Sequence, residues 1–312
     1  MYLRSGGRHP PGPCHAGRDH DHCRPRGSGG GKPGHGTRRR WRMAPMNDYR
    51  ELEDTVATWA REAGALALEL ERGHGTLRYK AGREAVTDAD GLIEIMLRER
   101  IATSFPGDAV VGEEMGAGAG ADTAARVWHL DPIDGTLNYA LGLPDFCISI
   151  ALFVDGEPRT ACIHQPIGGD MWTASRNEGT RRNGESVTVG KCRSLADAMV
   201  SVQPRKRGRL GRDPHLLQAL LLESHKFRKV GAIALEMAWT AAGAYDGLII
   251  ASRGAIPFHD VAAGILLISE AGGVITDGRG QPYRRGGHEL VAGNAAVHRD
   301  LLELLGRFPE PG

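Results

Sequence analysis

The run Asp131–Pro132–Ile133–Asp134–Gly135–Thr136 follows the apolar stretch Val127–Leu130. Such a stretch running into acidic residues reads as a strand whose end carries the polar groups. Pro132 and Gly135 force a turn there, so the two carboxylates, three positions apart, are able to face a common point. Gly135 permits close approach of an anion to the backbone. If a helix starts at this point, the amides of Gly135 and Thr136 donate to phosphate oxygens. A solvated turn is the plainer reading of the run taken alone.

Three further acidic segments bear on that choice. Gly112–Glu113–Glu114 follows the strand-like Val110–Val111. Val86–Thr87–Asp88–Ala89–Asp90 opens a helix, and His259–Asp260–Val261–Ala262–Ala263–Gly264 opens another. Singly, Asp90 and Asp260 are explained as helix-start acids worth about 0.5–2 kcal/mol as caps, and Glu113 as an exposed loop acid. Their occurrence together with the Asp131 run is poorly explained that way.

Around these segments the chain reads as alternating helices and strands. Tyr49, Leu52, Val56, Trp59, Ala63, Leu66 and Leu70 recur at steps of three and four, giving an amphipathic helix that ends before Gly73 and Gly75. A second helix follows Asp90. Cys147–Val154 and Thr160–His164 read as neighbouring strands joined at Asp155–Gly156. Helices are expected at 213–223, 232–243, 259–271 and 297–306, and strands at 227–230, 246–251, 274–276 and 289–293. The mixture implies a layered α/β fold. Division into an α+β domain at 46–190 and an α/β domain at 191–312 is expected.

Composition narrows the class. Hydrophobic residues make up 41% and aromatics only 5%, so the core must be mostly aliphatic. Residues 1–45 hold ten basic and two acidic residues with ten Gly and six Pro, and the remainder is mildly acidic. The tail is expected to be disordered, because it has almost no aliphatic side chains to offset the entropy of ordering. It lacks the apolar core of a signal peptide; a start codon placed too far upstream would explain it. An acidic folded part argues against a general nucleic-acid surface. No apolar stretch approaches the roughly 20 residues of a membrane span. The scattered cysteines form no disulfide framework, which points to a cytoplasmic compartment.

The ordered set Val86-Thr87-x-x-Asp90, Gly112-Glu113-Glu114, Asp131-Pro132-Ile133-Asp134-Gly135-Thr136 and Asp260-Val261-Ala262-Ala263-Gly264 resembles the inositol monophosphatase family over about residues 48–306. Glu270-Ala271-Gly272-Gly273 fits the end of the family's helix after the last acid. The resemblance implies an αβαβα sandwich, a homodimer, and Mg²⁺-dependent, lithium-sensitive hydrolysis of a small phosphorylated metabolite. By the same resemblance, Glu113, Asp131 and the Ile133 carbonyl are ligands of a first Mg²⁺. Asp131, Asp134 and Asp260 are ligands of a second, and Glu113 helps to hold a third. Asp90 and Thr136, with Glu113, orient and deprotonate the attacking water, and Gly135 and Thr136 hold the phosphate. The chemistry is consistent, because five carboxylates in one pocket cannot all stay ionised without cations. Hard oxygen donors suit Mg²⁺.

The substrate-facing positions depart from the family pattern. The aromatic usual just before the last acid is His259, which is expected to pack as the aromatic does, with contact to substrate as the alternative. A run that often offers a hydroxyl is Gly231–Ala232–Ile233. Arg253 stands where an acid often meets inositol hydroxyls, and an arginine forks onto carboxylate or phosphate instead. Asp134, Arg253 and Asp260 are the expected substrate contacts. Inositol 1-phosphate-like esters are the first expectation and histidinol phosphate the alternative, with sugar phosphates and nucleotide 3′-phosphates also open. A non-catalytic binding protein of the transcription or ribosome-assembly machinery is the reading from another class.

Overall fold

The computed structural model describes residues 49–71, 78–79, 85–203, 213–251 and 254–308. All of them lie in one compact unit, Arg42–Gly312. The expectations for the tail at 1–45 and for Arg253 fall outside the described residues.

The chain opens with α1 (Tyr49–Glu71), a short ladder of β1 (Arg78–Tyr79) with β2 (Ala85–Val86), and α2 (Asp88–Ser104). Then come β3 (Ala109–Gly112), β4 (Gly116–Ala117), β5 (Arg126–Asp134), α3 (Thr136–Ala140), β6 (Cys147–Val154) and β7 (Glu157–Gln165). β8 (Asp170–Ser175), β9 (Thr180–Arg182) and β10 (Glu185–Val187) complete an eight-stranded sheet of order β10-β9-β8-β7-β6-β5-β3-β4. The remaining elements are β11 (Met199–Gln203), α4 (Asp213–Glu223), β12 (Lys226–Arg228), α5 (Ile233–Ala241), β13 (Gly247–Ala251), α6 (Phe258–Glu270), β14 (Val274–Thr276), β15 (Glu289–Gly293) and α7 (Ala295–Gly306). Their five strands form a second sheet of order β12-β11-β13-β15-β14.

Side-chain alternation sorts the layers. Every residue of β6 is buried, because both faces of its sheet are covered. Ile148, Ile150 and Leu152 join α1 and α2 in one core cluster, whereas Cys147, Ala151 and Phe153 join α5 and α6 in another. Each such aliphatic side chain contributes about 1.5–3 kcal/mol by leaving water. In the second sheet, Leu248 and Ile250 face α5 and α6, and Ile249 faces the outer cluster with α4 and α7. The result is the expected αβαβα sandwich. The chain leaves the first sheet at Val187 and enters the second at Met199. Asp155 (φ 53°) and Gly156 (φ 77°) make the tight turn between β6 and β7, as the sequence suggests.

Two features differ from expectation. Strands β8 to β11 were not anticipated. The Asp131–Asp134 run is not a turn after a strand but the irregular end of β5: Asp131 pairs with Ser149 and Asp134 with Cys147, so two residues of β5 oppose one of β6. Pro132 has no N–H for the ladder, and the bulge absorbs it. Trp172 and Trp239 both pack within the chain. Trp172 is fully buried in the central core, and Trp239 packs half-buried beside it against Tyr245.

Candidate active site

The bulge at the end of β5 lowers Asp131 into the protein, 2% exposed. Its Oδ1 is buried and has no hydrogen-bond partner. Burial holds the Asp131 carboxyl well above the usual carboxylate range, and the charges of Glu113, Asp134, Asp260 and Asp90 push it further. Those neighbours are the acids singled out from the sequence, and each of Asp90, Glu113, Asp134 and Asp260 lies within electrostatic reach of Asp131.

Asp134 does a second job. Its Oδ1 accepts from Ile233 N at 2.9 Å and its Oδ2 from Leu235 N at 3.2 Å, so it satisfies amides at the start of α5. Burial raises Asp134 to about 6, and these N–H groups oppose the rise. Gly135 (φ 89°) lies so close to Asp145 and Ala232 that a Cβ would stand 2.9 Å from the Asp145 carbonyl. α3 does start at Thr136, as the phosphate-holding reading requires.

Asp90, fully buried, takes Thr87 N at 2.8 Å and Thr87 Oγ1 at 2.6 Å on Oδ2. Its Oδ1 lies 3.1 Å from Thr136 Oγ1, which is also 3.0 Å from the Ile133 carbonyl oxygen. One hydroxyl proton thus has two acceptors, and the helix-start acid of α2 is at the same time a partner of Thr136. Burial raises Asp90 above its ordinary value. Glu113 is held through its backbone, N to Leu130 O at 3.2 Å, and by the loop that follows it. In that loop Glu114 N and Met115 N donate to the fully buried Glu94, at 2.7 and 3.2 Å, and Arg98 Nε closes the ion pair at 2.8 Å.

At the start of α6 the expectation that His259 packs in place of an aromatic is corrected. Phe258, one residue earlier, fills that role, with its ring edge-on to His129 at 4.8 Å and to Phe153 at 5.2 Å. His259 turns instead to Asp260, Nε2 to Oδ1 at 3.2 Å. Sequence reasoning also missed Glu94 and Glu236. Glu236 accepts from Val230 N at 2.8 Å and from Gln203, fixing the segment that leads to the Asp134 contacts.

The donor set fits a hard divalent cation. A carboxylate oxygen buried without a partner, beside four further acids, is costly unless a cation neutralises it. Among the described residues no three His, Cys, Asp or Glu side chains are drawn together as a ready cage.

Fold and site together define a layered α/β protein with a carboxylate-rich site. The model of the inositol monophosphatase family matches residues 48–307, and the chain belongs to that family. It is 35% identical to an inositol-1-monophosphatase of Rhizobium meliloti, over 73% of this chain and 85% of the relative. It is 32% identical to a Nus factor SuhB of Xylella fastidiosa, over 79% of this chain and 91% of the relative. The fold recurs in an IMPase/NADP phosphatase solved with Mg²⁺ and phosphate (TM-score 0.73, 24% identity, 83% of this chain and 96% of that one). No helix among the described residues is long and apolar enough to cross a membrane.

Proposed function

We propose that the chain hydrolyses a small phosphate monoester by attack of water, with Mg²⁺ as cofactor. The observation that carries this reading is the buried, unpartnered Asp131 Oδ1 facing Asp90, Glu113, Asp134 and Asp260. Glu113, Asp131, Asp134, Asp260 and the Ile133 carbonyl are the groups that would hold the ions. Bound Mg²⁺ would neutralise the phosphate, lower the pKa of water and stabilise the leaving oxygen.

The chain's own groups do the rest. Gly135 and Thr136 amides at the start of α3 hold the phosphate. Asp90 Oδ1, beside Thr136 Oγ1, receives the proton that passes from the water through the hydroxyl. Two Thr87 contacts keep Asp90 Oδ2 from turning away. The bulged strand end and the two helix starts fix these positions before substrate arrives, which is what phosphoryl transfer chiefly needs.

The test is phosphate release from inositol 1-phosphate, histidinol phosphate and sugar phosphates, with and without Mg²⁺. Release that requires Mg²⁺ and collapses in Asp131→Asn is expected. Full activity in folded Asp131→Asn would sink the assignment. A second reading rests on the relatives named Nus factor SuhB: association with the transcription machinery, independent of catalysis. Recovery of RNA polymerase by the Asp131→Asn protein would support it.

A further inference from the structure

We infer that Asn138 is a positioning residue: it ties the Gly135 turn to the segment that leads into α5, and through that segment it fixes the Asp134 carboxylate. The inference rests on the Mg²⁺-dependent reading above and adds to it a residue that acts only through its neighbours. Asn138 is half-buried on α3, and its side-chain amide donates twice, to Asp145 O at 2.7 Å and to Val230 O at 3.1 Å. A carboxamide has two N–H donors, and both are used in this bridge. One acceptor lies just before β6 and the other between β12 and α5. Gly135 sits in the gap between the same two segments. A Cβ there would stand 2.9 Å from Asp145 O, 3.0 Å from Ala232 Cβ and 3.3 Å from Phe146 Cα.

Val230 is gripped by both of its backbone groups. Asn138 holds its oxygen, and the buried Glu236 takes its N–H at 2.8 Å and is itself held by Gln203. Gly231, at φ 88°, then turns the chain from Val230 into α5. Two and four residues beyond Gly231, the amides of Ile233 and Leu235 reach the two oxygens of Asp134. The Val230 carbonyl is thus where α3 is joined to the start of α5, and Asp134 stands between them with its carboxylate set by that start. A carboxylate that is to hold a cation keeps its direction through such hydrogen bonds. Without Asn138, water would satisfy the Asp145 and Val230 carbonyls one by one, and nothing would hold their spacing. The first turn of α5 would then be free to draw away from Asp134, and the gap around Gly135 would widen.

Calorimetric titration of the protein with Mg²⁺ alone tests this, beside melting curves and phosphate release measured against Mg²⁺ concentration. Asn138→Ala is expected to raise the Mg²⁺ dissociation constant about tenfold, the lower end for losing a group that orients a metal ligand. Excess Mg²⁺ should then return most of kcat, which no loss of folded protein would allow. Asn138→Leu, which fills the space but donates nothing, should behave as Asn138→Ala does. Tyr139→Phe is the control. The Tyr139 hydroxyl ties the same helix to Ala67 O at 2.9 Å, on α1, so its loss should lower the melting temperature and leave the Mg²⁺ constant unchanged. Folded Asn138→Ala and Asn138→Leu proteins with wild-type Mg²⁺ affinity, or a Tyr139→Phe protein that weakens Mg²⁺ as much as they do, overturn the assignment and leave the phosphatase reading standing. Mg²⁺ affinities in the expected order, in a wild type that releases phosphate from no ester, overturn the phosphatase reading and leave the role of Asn138 standing. A wild type that binds no Mg²⁺ overturns both.

Discussion

Replacing Glu94 with Ala should loosen Glu113 without touching it. Glu94 is fully buried and holds three donors: Arg98 Nε at 2.8 Å, Glu114 N at 2.7 Å and Met115 N at 3.2 Å. A hydrogen bond to a charged group is worth roughly 1.5–3 kcal/mol, and each amide left dry costs about 1–3 kcal/mol. The three share one carboxylate and do not add, so the expected loss is about 3–5 kcal/mol, as for breaking a buried pair. Urea unfolding should show it as a lower midpoint with an unchanged slope. The Mg²⁺ concentration for half-maximal phosphate release should rise about tenfold, because the Glu113 loop loses its preorganisation. Glu94→Gln should fall between, since its amide nitrogen meets a donor. A loss below about 1 kcal/mol with an unchanged Mg²⁺ requirement would refute the idea that this buried acid carries the loop.

Thr136→Ala should lower kcat by about 10²–10³-fold with little change in melting temperature, whereas Thr136→Ser should keep most activity, as steady-state kinetics would show. Gly135→Ala forces a side chain into the left-handed region against the Asp145 carbonyl and Ala232, so a loss of about 2–4 kcal/mol is expected by urea titration, with phosphate release abolished. Burial pushes Glu236 up to about 7 from an ordinary 4.5. The unfolded chain then gives up this proton before the folded one does. Its stabilising contribution is full below about pH 4.5 and lost as pH rises through about 7, on the order of 3 kcal/mol. Melting curves of Glu236→Gln against pH should lack that decline, and an identical pH profile would refute it.

The carboxylates of the site stood out in the sequence because each sits where an element begins or ends. Asp90 and Asp260 open helices, Glu113 follows β3, and Asp131 and Asp134 end β5. Such positions combine turn residues with apolar flanks and are visible locally. Glu94 was hidden, because four residues before Arg98 it looks like half of a solvated helix pair. Its burial comes from a loop 20 residues further on. Glu236 looks like the polar stripe of α5 until Val230 and Gln203 close around it. β9 and β10 have three residues each, too few to show a period of two. The exchange of roles between Phe258 and His259 was also illegible, because a helix start fixes which neighbouring side chain turns inward only through what it packs against.

The order of the layers sets when this protein is able to work during its own synthesis. Asp90, Glu113 and the β5 bulge are translated early, but the amides that steady Asp134 belong to α5, and Asp260 arrives with α6. The middle layer is made of these two late helices, and it covers one face of a sheet whose strands are already complete. Until residue 270 has left the ribosome, that sheet exposes Cys147, Ala151, Phe153, Ile163 and Trp172 to whatever is nearby. Pairings this far apart in the chain form slowly. A truncated or stalled product is therefore both inactive and adhesive, and the last third of the chain acts as the intramolecular cover that ends that interval.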